Sequence, residues 1–317
     1  MSVASDTAGE GPPPKSRARR TADLSAVPRM PDGRTAAEHI AEIEGQSVAR
    51  RTAMPNGGRM MWHVWGTGSG RPPLLLFHGG SGSWIHWIRN VLPLSRHYTI
   101  YAADMPGLGD SDPPDDLRDV WAVTHAVRAG IEEILPNGER FDICGFSFGG
   151  MVGGHVSTLV GERLNQVVLV GPGGFRLARK AAPPLVSLRR EQLSAEAQAA
   201  AGRRNLEILM LHDPANVDGV AIHMQIMNSI RAQTDSRSMS RRGVLSDVLP
   251  KITTRLAGIW GEFDSTAYPY MDERYTLLRG HQPDIDIRIV PGAGHWVMYE
   301  AAEAFNAALL DVLARKG

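Results

Sequence analysis

Ser147 stands at the centre of Gly145-Phe146-Ser147-Phe148-Gly149, directly after the strand-like residues 141–144 ("FDIC") and before a glycine-rich stretch. A serine hydroxyl attacks a carbonyl only when a base removes its proton and the backbone does not crowd it. A tight strand-to-helix turn meets the second condition if the residues two before and two after the serine are small, and both are glycine here. The turn also aims the free N–H groups of the following helix at the serine, where negative charge would develop. The alternative is a serine that only caps a helix. Cys144 reads as a small buried apolar residue, not as a thiol nucleophile.

The base must reach over the sheet edge, and an acid must hold its tautomer. His295 lies in a glycine-rich turn, Pro291 to Trp296, straight after an apolar strand. Among the other histidines, His39, His212 and His223 fall in the tail border or the helical insertion. His97, His125, His155 and His281 are in surface-like or helical contexts, and His63 is on a strand. His78 and His86 share loops near the active edge, but only His295 has the chain order expected of the base. Asp264 ends the strand "IWGEFD" one helix and one strand before His295, which places it on a neighbouring loop as the acid. Glu262 is its rival, while Asp284 and Asp286 read as salt-bridge residues.

The run His78-Gly79-Gly80-Ser81-Gly82 closes another apolar strand. Glycines there let backbone amides approach a substrate oxygen, so the N–H groups of Gly80 and Phe148 are expected to form an oxyanion hole. His78 is expected to brace this loop through its ring nitrogens.

These turns need a sheet to position them. Apolar runs at "PLLLF", "TIYAA" and "VVLV" read as buried strands and "FDIC" as a further strand, alternating with helices such as Leu117 to Leu135. That alternation predicts an α/β fold with a mostly parallel central sheet and right-handed crossovers. An opening hairpin, "SVARRT" and "RMMWHVWG", turns at Pro55 to Gly58. The core is expected over 37–175 and 251–317, with helices near 148, 270–278 and 302–313. Residues 176–250 break the rhythm as a charged helical insertion, expected to form a lid. Residues 1–36 read as a disordered tail with a basic cluster at Lys15, Arg17, Arg19 and Arg20, a docking arm being the alternative.

Composition excludes several classes. Lys plus Arg equals Asp plus Glu at 34 each, which gives no reason to expect nucleic acid as a partner. One cysteine rules out an internal disulfide framework or a multi-thiolate metal site and is compatible with a cytoplasmic setting. No run approaches the roughly 18 apolar residues of a membrane span, and no apolar segment follows the basic cluster as in a secretory signal. "GLGDS" lacks the third glycine and the βαβ timing of a dinucleotide site. Neither a metal nor an organic cofactor is expected, and a small molecule is the expected partner. A homodimer is left open.

The motifs "HGGSG", "DMPGLGDSD", "GFSFGG", "WGEFD" and "GAGHW", in that order, resemble the α/β-hydrolase superfamily. The resemblance implies Ser147, Asp264 and His295 as triad, the insertion as lid, and the loop from Asp104 to Ser111 as a structural element near the site. A serine also separates the chain from the branches that use an aspartate nucleophile. "GHWVMYE" and "WIHWIRN" resemble the meta-cleavage-product hydrolases, which cut a C–C bond in a dienoate, and Trp296 matches their pocket tryptophan. In that comparison His86 replaces an asparagine, and Gln225 falls where a lid arginine binds the carboxylate. Arg176, Arg189 or Arg190, or a protonated His86, are candidate replacements. On those two departures, hydrolysis of a carboxylic ester or amide is the favoured expectation. C–C hydrolysis is the alternative, and a perhydrolase or a non-enzymatic binder are further readings. The substrate is expected to be medium-sized and mostly apolar, in a pocket including His86, Met224, Gln225 and Trp296. Met210, Leu211, Ile226, Met227 and Ile230 supply further apolar lid surface, some of it for packing on the main domain.

Overall fold

The structure is a computed structural model that describes residues 21–136, 138–189 and 193–315. Its centre is an eight-stranded sheet in the order β1-β2-β4-β3-β5-β6-β7-β8. The strands are β1 (Val48–Ala53), β2 (Arg59–Trp65), β3 (Pro73–Phe77), β4 (Thr99–Ala103), β5 (Phe141–Phe146), β6 (Leu164–Val170), β7 (Arg255–Gly261) and β8 (Asp286–Val290). β1 and β2 form the expected antiparallel hairpin, and β2 also runs antiparallel to β4. Every pairing from β4 to β8 is parallel.

Strand periodicity divides the core between the two faces. Leu74, Leu76, Cys144, Phe146, Ala257 and Ile259 pack into one apolar cluster. Their neighbours Leu75, Phe77, Ile143, Leu256 and Trp260 pack into the other. Burial on both faces is what the continuous apolar runs encode.

Eleven α-helices cover the sheet or build the insertion among the described residues. They are α1 (Ala36–Glu44), α2 (Val91–Leu94), α3 (Val120–Ile134), α4 (Phe148–Ser157), α5 (Ala195–Leu209), α6 (Gly219–Arg231), α7 (Ser236–Arg241), α8 (Val244–Val248), α9 (Met271–His281), α10 (Val297–Glu300) and α11 (Ala302–Ala314). α3 starts later than Leu117 because Asp119 caps it, accepting from the amides of Trp121 and Ala122. Helices α5 to α8 lie between β6 and β7 and form a helical insertion resembling a lid. No described helix is long and apolar enough to cross a membrane.

The expected tail needs correction where it is described. Leu24, Val27 and Met30 are partly buried against the core cluster that contains lid residues Ile222 and Ile226. Thr35 then opens α1 with a capping box, its hydroxyl accepting from the Glu38 amide. Apolar side chains too irregularly spaced to read as an element are ordered by the lid surface they cover. The basic cluster at Lys15, Arg17, Arg19 and Arg20 lies outside the described residues.

The strand order positions the chemistry. β3 has β4 on one side and β5 on the other, so the chain reverses its direction of travel across the sheet between them. A crevice opens beyond the C-terminal ends of the strands at such a reversal. The loop from His78 leaves β3 there, and Ser147 leaves β5 beside it.

Candidate active site

Ser147 links β5 to α4 with φ 51° and ψ −109°, a conformation an L-residue rarely holds. The turn closes only because its neighbours lack side chains. A Cβ on Gly145 would lie 2.5 Å from the Gly149 carbonyl oxygen, and one on Gly149 would lie 2.3 Å from that of Phe77. The Ser147 amide donates to Val170 O at 2.8 Å, which ties the turn to β6.

His295 bridges nucleophile and acid. Its Nε2 is 3.1 Å from Ser147 Oγ, and its Nδ1 is 2.9 Å from both carboxylate oxygens of Asp264. The carboxylate can only accept, so Nδ1 carries the proton and Nε2 is left to accept from the serine hydroxyl. Burial by itself would raise the Asp264 pKa. The neighbouring His295, together with the amide and hydroxyl of Thr266 at 2.8 and 2.7 Å, outweighs that and holds it below the usual carboxylate range. Glu262 instead accepts the Gly292 amide at the surface, and Asp286 pairs with Arg288.

Ser147, Asp264 and His295 therefore form a complete Ser-His-Asp array in the order the sequence predicts. Cys144 is buried, and burial raises its thiol pKa. His78 braces its loop, with Nδ1 bonded to Gly79 O at 2.7 Å and Nε2 accepting from the Met105 amide at 2.9 Å. The loop from Asp104 to Ser111 is tied to the same corner. Asp104 accepts from the amides of Trp84 and Asp110, each at 2.8 Å, and its carbonyl accepts from the Ser111 hydroxyl.

The other expected residues separate into two groups. Gly80 lies against Phe148, a Cβ built on it falling 3.7 Å from Phe148 Cβ. Trp296 is wholly buried and donates from Nε1 to the His86 carbonyl at 2.9 Å, with the two rings 5.2 Å apart. The His86 ring continues through Phe146 to His295. His86 is not the cation considered above, because burial, followed by the neighbouring His78 and His295, pushes its pKa well below 6.5. Met224 packs in the apolar cluster that contains Trp296. Gln225 is half-buried and bonds Ser229 along its own helix. Arg176 pairs with Asp247 on the exterior, and Arg189 donates to the carbonyls of Ser229 and Ala232. Arg190 lies outside the described residues.

Several positioning residues escaped the sequence reading. Gly171 faces the back of the triad, where a Cβ would lie 2.6 Å from Asp264 Oδ2. Glu300 accepts the amides of His212, Asp213 and Gly294, joining the lid to the His295 loop. The start of α7 covers the β3 loop, with Ser236 Oγ accepting the Ser81 amide at 3.1 Å. Only the last had a signal, the serine-rich run Thr234 to Ser240 within the helical insertion.

A parallel sheet with a serine elbow and this proton-relay array defines a serine-nucleophile α/β enzyme. The profile of the Alpha/beta hydrolase family matches residues 74–308, and the chain belongs to that family. It is 28% identical over 299 residues to 2-hydroxy-6-oxo-6-(2'-aminophenyl)hexa-2,4-dienoic acid hydrolase of Metapseudomonas resinovorans, covering 88% of this chain and 96% of that one. It is 25% identical over 271 residues to 2-hydroxy-6-oxononadienedioate/2-hydroxy-6-oxononatrienedioate hydrolase of Comamonas testosteroni, covering 80% and 91%. A serine hydrolase involved in carbazole degradation superposes with TM-score 0.64 at 23% identity, over 84% of this chain and 99% of that one. A carboxylesterase from Bacillus subtilis reaches TM-score 0.70 at 19% identity, over 88% and 96%, and shares the fold. The expectation of simple ester or amide hydrolysis is corrected by the sequence relatives, which are meta-cleavage-product hydrolases.

Proposed function

We propose that this protein hydrolyses the C–C bond beside the ketone of a 2-hydroxy-6-oxo-dienoate. The observation carrying the reading is the complete serine array in a chain whose relatives over four-fifths of its length act on such compounds. His295 takes the proton of Ser147 as Oγ adds to the ketone carbon. The amides of Gly80 and Phe148 receive the developing oxyanion, one such donor contributing about 3–4 kcal/mol to the transition state. Before the addition the dienol ketonises, its C2 hydroxyl proton moving to C5. Collapse then breaks the C5–C6 bond, and the electron pair passes through the C3=C4 double bond into the C2 ketone, whose enolate oxygen takes the proton from His295. Water, activated by the same histidine, then cleaves the acyl ester on Ser147. The products are a 2-hydroxydienoic acid and a carboxylic acid.

His86, Met224, Gln225 and Trp296 are assigned to the pocket for the apolar end of this substrate. The reaction needs neither a metal nor an organic cofactor. The test is loss of the dienoate's visible absorbance, measured in parallel with hydrolysis of short aryl esters. A kcat/KM for the phenyl-substituted dienoate at least 10-fold above the best ester is expected. A lower value than the ester's would overturn the assignment.

A further inference from the structure

One lid side chain reaches the loop after β3. Ser236 opens α7 and is buried, and its Oγ accepts the Ser81 amide at 3.1 Å across 155 residues of chain. A Cβ built on Gly80 would lie 2.7 Å from the same Oγ and 3.7 Å from the Cβ of Phe148, the residue after Ser147. Ser236 and the nucleophile turn therefore both border the space beside Gly80.

The amides at this corner divide by partner. Among the described residues those of Gly80 and Phe148 have no acceptor, whereas that of Ser81 is taken by Ser236. Ser81 holds φ at 47°, a left-handed backbone that an L-residue keeps only where its surroundings fix it. Gly80 is itself exposed, so the contact with Ser236 Oγ is what holds this turn from the lid side.

Ser236 can hold the turn because its own segment is fastened. The amides of Gln233 and Thr234 donate to Gly107 O at 2.8 and 3.3 Å, and the Asp235 amide donates to Leu117 O at 2.8 Å. Thr234 Oγ1 donates to Pro106 O at 2.6 Å. Gly107, at φ +74°, permits this approach, since a Cβ there would lie 2.2 Å from Thr234 Oγ1. Asp235 caps α7 by accepting the Ser238 amide at 3.1 Å. Met105, just before Pro106, donates its amide to His78 Nε2 at 2.9 Å. The contacts thus close a ring from His78 through Met105 to Gly107 and Ser236, and back to Ser81.

We propose that Ser236 is a positioning residue for the oxyanion hole. It fixes the Ser81 peptide from the lid, so that the Gly80 amide stays directed at the carbonyl that Ser147 attacks. The inference rests on the hole assigned above to Gly80 and Phe148, and it holds for a ketone or an ester carbonyl alike. Without the Ser236 oxygen the turn relaxes and the developing oxyanion loses more stabilisation than the bound substrate does.

The test compares wild type, Ser236→Ala and Ser238→Ala on the phenyl-substituted dienoate and on a short aryl ester. Ser238→Ala is the control, because its hydroxyl bonds no described group. For Ser236→Ala kcat is expected to fall roughly 10- to 100-fold while KM stays within about 3-fold, and the control keeps both. Phenylboronate, which adds to Ser147 Oγ and leaves a charged oxygen in the hole, should lose affinity for Ser236→Ala by a similar factor. Unchanged kcat and boronate affinity overturn the proposal. So does a raised KM at constant kcat, which would make Ser236 a contact of the bound substrate, or a lowered melting temperature with kcat intact. Turnover of the ester alone rejects the dienoate reading and leaves the Ser236 comparison standing on the ester. If neither substrate turns over, the rate at which a fluorophosphonate labels Ser147 takes the place of kcat. Thr234→Val, which frees the same segment from Pro106, serves if Ser236→Ala does not fold, and a wild-type kcat in it then rejects the proposal.

Discussion

The backbone amide of Gly79 donates to Nδ1 of His86 at 3.1 Å. Since Nδ1 accepts, the neutral ring carries its proton on Nε2, where no described group bonds it. Burial keeps this form neutral far below pH 6.5, while the unfolded chain protonates near 6.5. Below that pH the unfolded state therefore binds a proton that the native ring refuses, so the contribution of His86 to stability falls as pH falls. The slope is about 1.4 kcal/mol per pH unit for one proton. His86→Gln keeps an acceptor for Gly79 and removes the titration. Denaturant unfolding of both proteins from pH 7.5 to 5 should show wild type losing stability more steeply below about 6.5. Parallel curves would mean that His86 titrates alike in both states.

Gly171 allows the acid and base to meet. Its φ is +46°, and an added Cβ would lie 2.6 Å from Asp264 Oδ2 and 3.1 Å from His295 Nδ1. Gly171→Ala must displace one of them, and misplacement of a catalytic group by about 1 Å costs on the order of 10²-fold. kcat is expected to fall by that factor while KM changes little. Full activity in the alanine variant would show that this contact is relaxed at no cost to the array.

These two residues mark what a sequence does and does not disclose. Gly145 and Gly149 were legible because a serine turn has one steric solution, written at fixed offsets from Ser147. Asp264 and His295 followed from chain order and from the strands ahead of them. Gly171 and Glu300 were not legible, because each acts on a partner brought near only by folding. Residues 21–35 looked like tail because their apolar side chains have no period and find burial only on the lid. The preferred bond was misjudged because it was weighed on two positions, His86 and Gln225, matched to relatives by their place along the chain. Helices joined by irregular loops do not preserve such a register.

Two acidic residues in "WGEFD" compete on paper for one role, and the geometry separates them. Asp264 Oδ1 and Oδ2 each lie 2.9 Å from His295 Nδ1, whereas Glu262 Oε2 accepts the Gly292 amide. Asp264→Asn presents an N–H to the imidazole or forces the other tautomer, which is expected to reduce kcat ~10⁴-fold. Glu262→Gln retains an oxygen for Gly292 and should stay within a few-fold of wild type. Steady-state kinetics on one substrate decides the matter. Comparable losses in both variants would reject the assignment of the acid.

Glu300 joins the lid to the base. One carboxylate accepts the His212 amide at 3.0 Å, the Asp213 amide at 2.7 Å and the Gly294 amide at 2.7 Å, and Asn216 Nδ2 lies 3.3 Å away. Gly294 directly precedes His295, so the clamp sets the loop that carries the imidazole. Trp296 adds a second link through its amide to Met210 O at 2.7 Å. Hydrogen bonds to a charged group contribute about 1.5–3 kcal/mol each, and water reaching the half-buried site would recover part of this. Glu300→Ala should therefore cost about 2–4 kcal/mol in unfolding free energy. Glu300→Gln keeps one acceptor oxygen and should cost about half as much. If the clamp also holds the loop during turnover, kcat falls in the alanine variant by roughly 10-fold or more, measured where both proteins are fully folded. Loss of stability with kcat intact would confine Glu300 to holding the lid in place, and loss of neither would show that Trp296 and Met210 alone secure the loop.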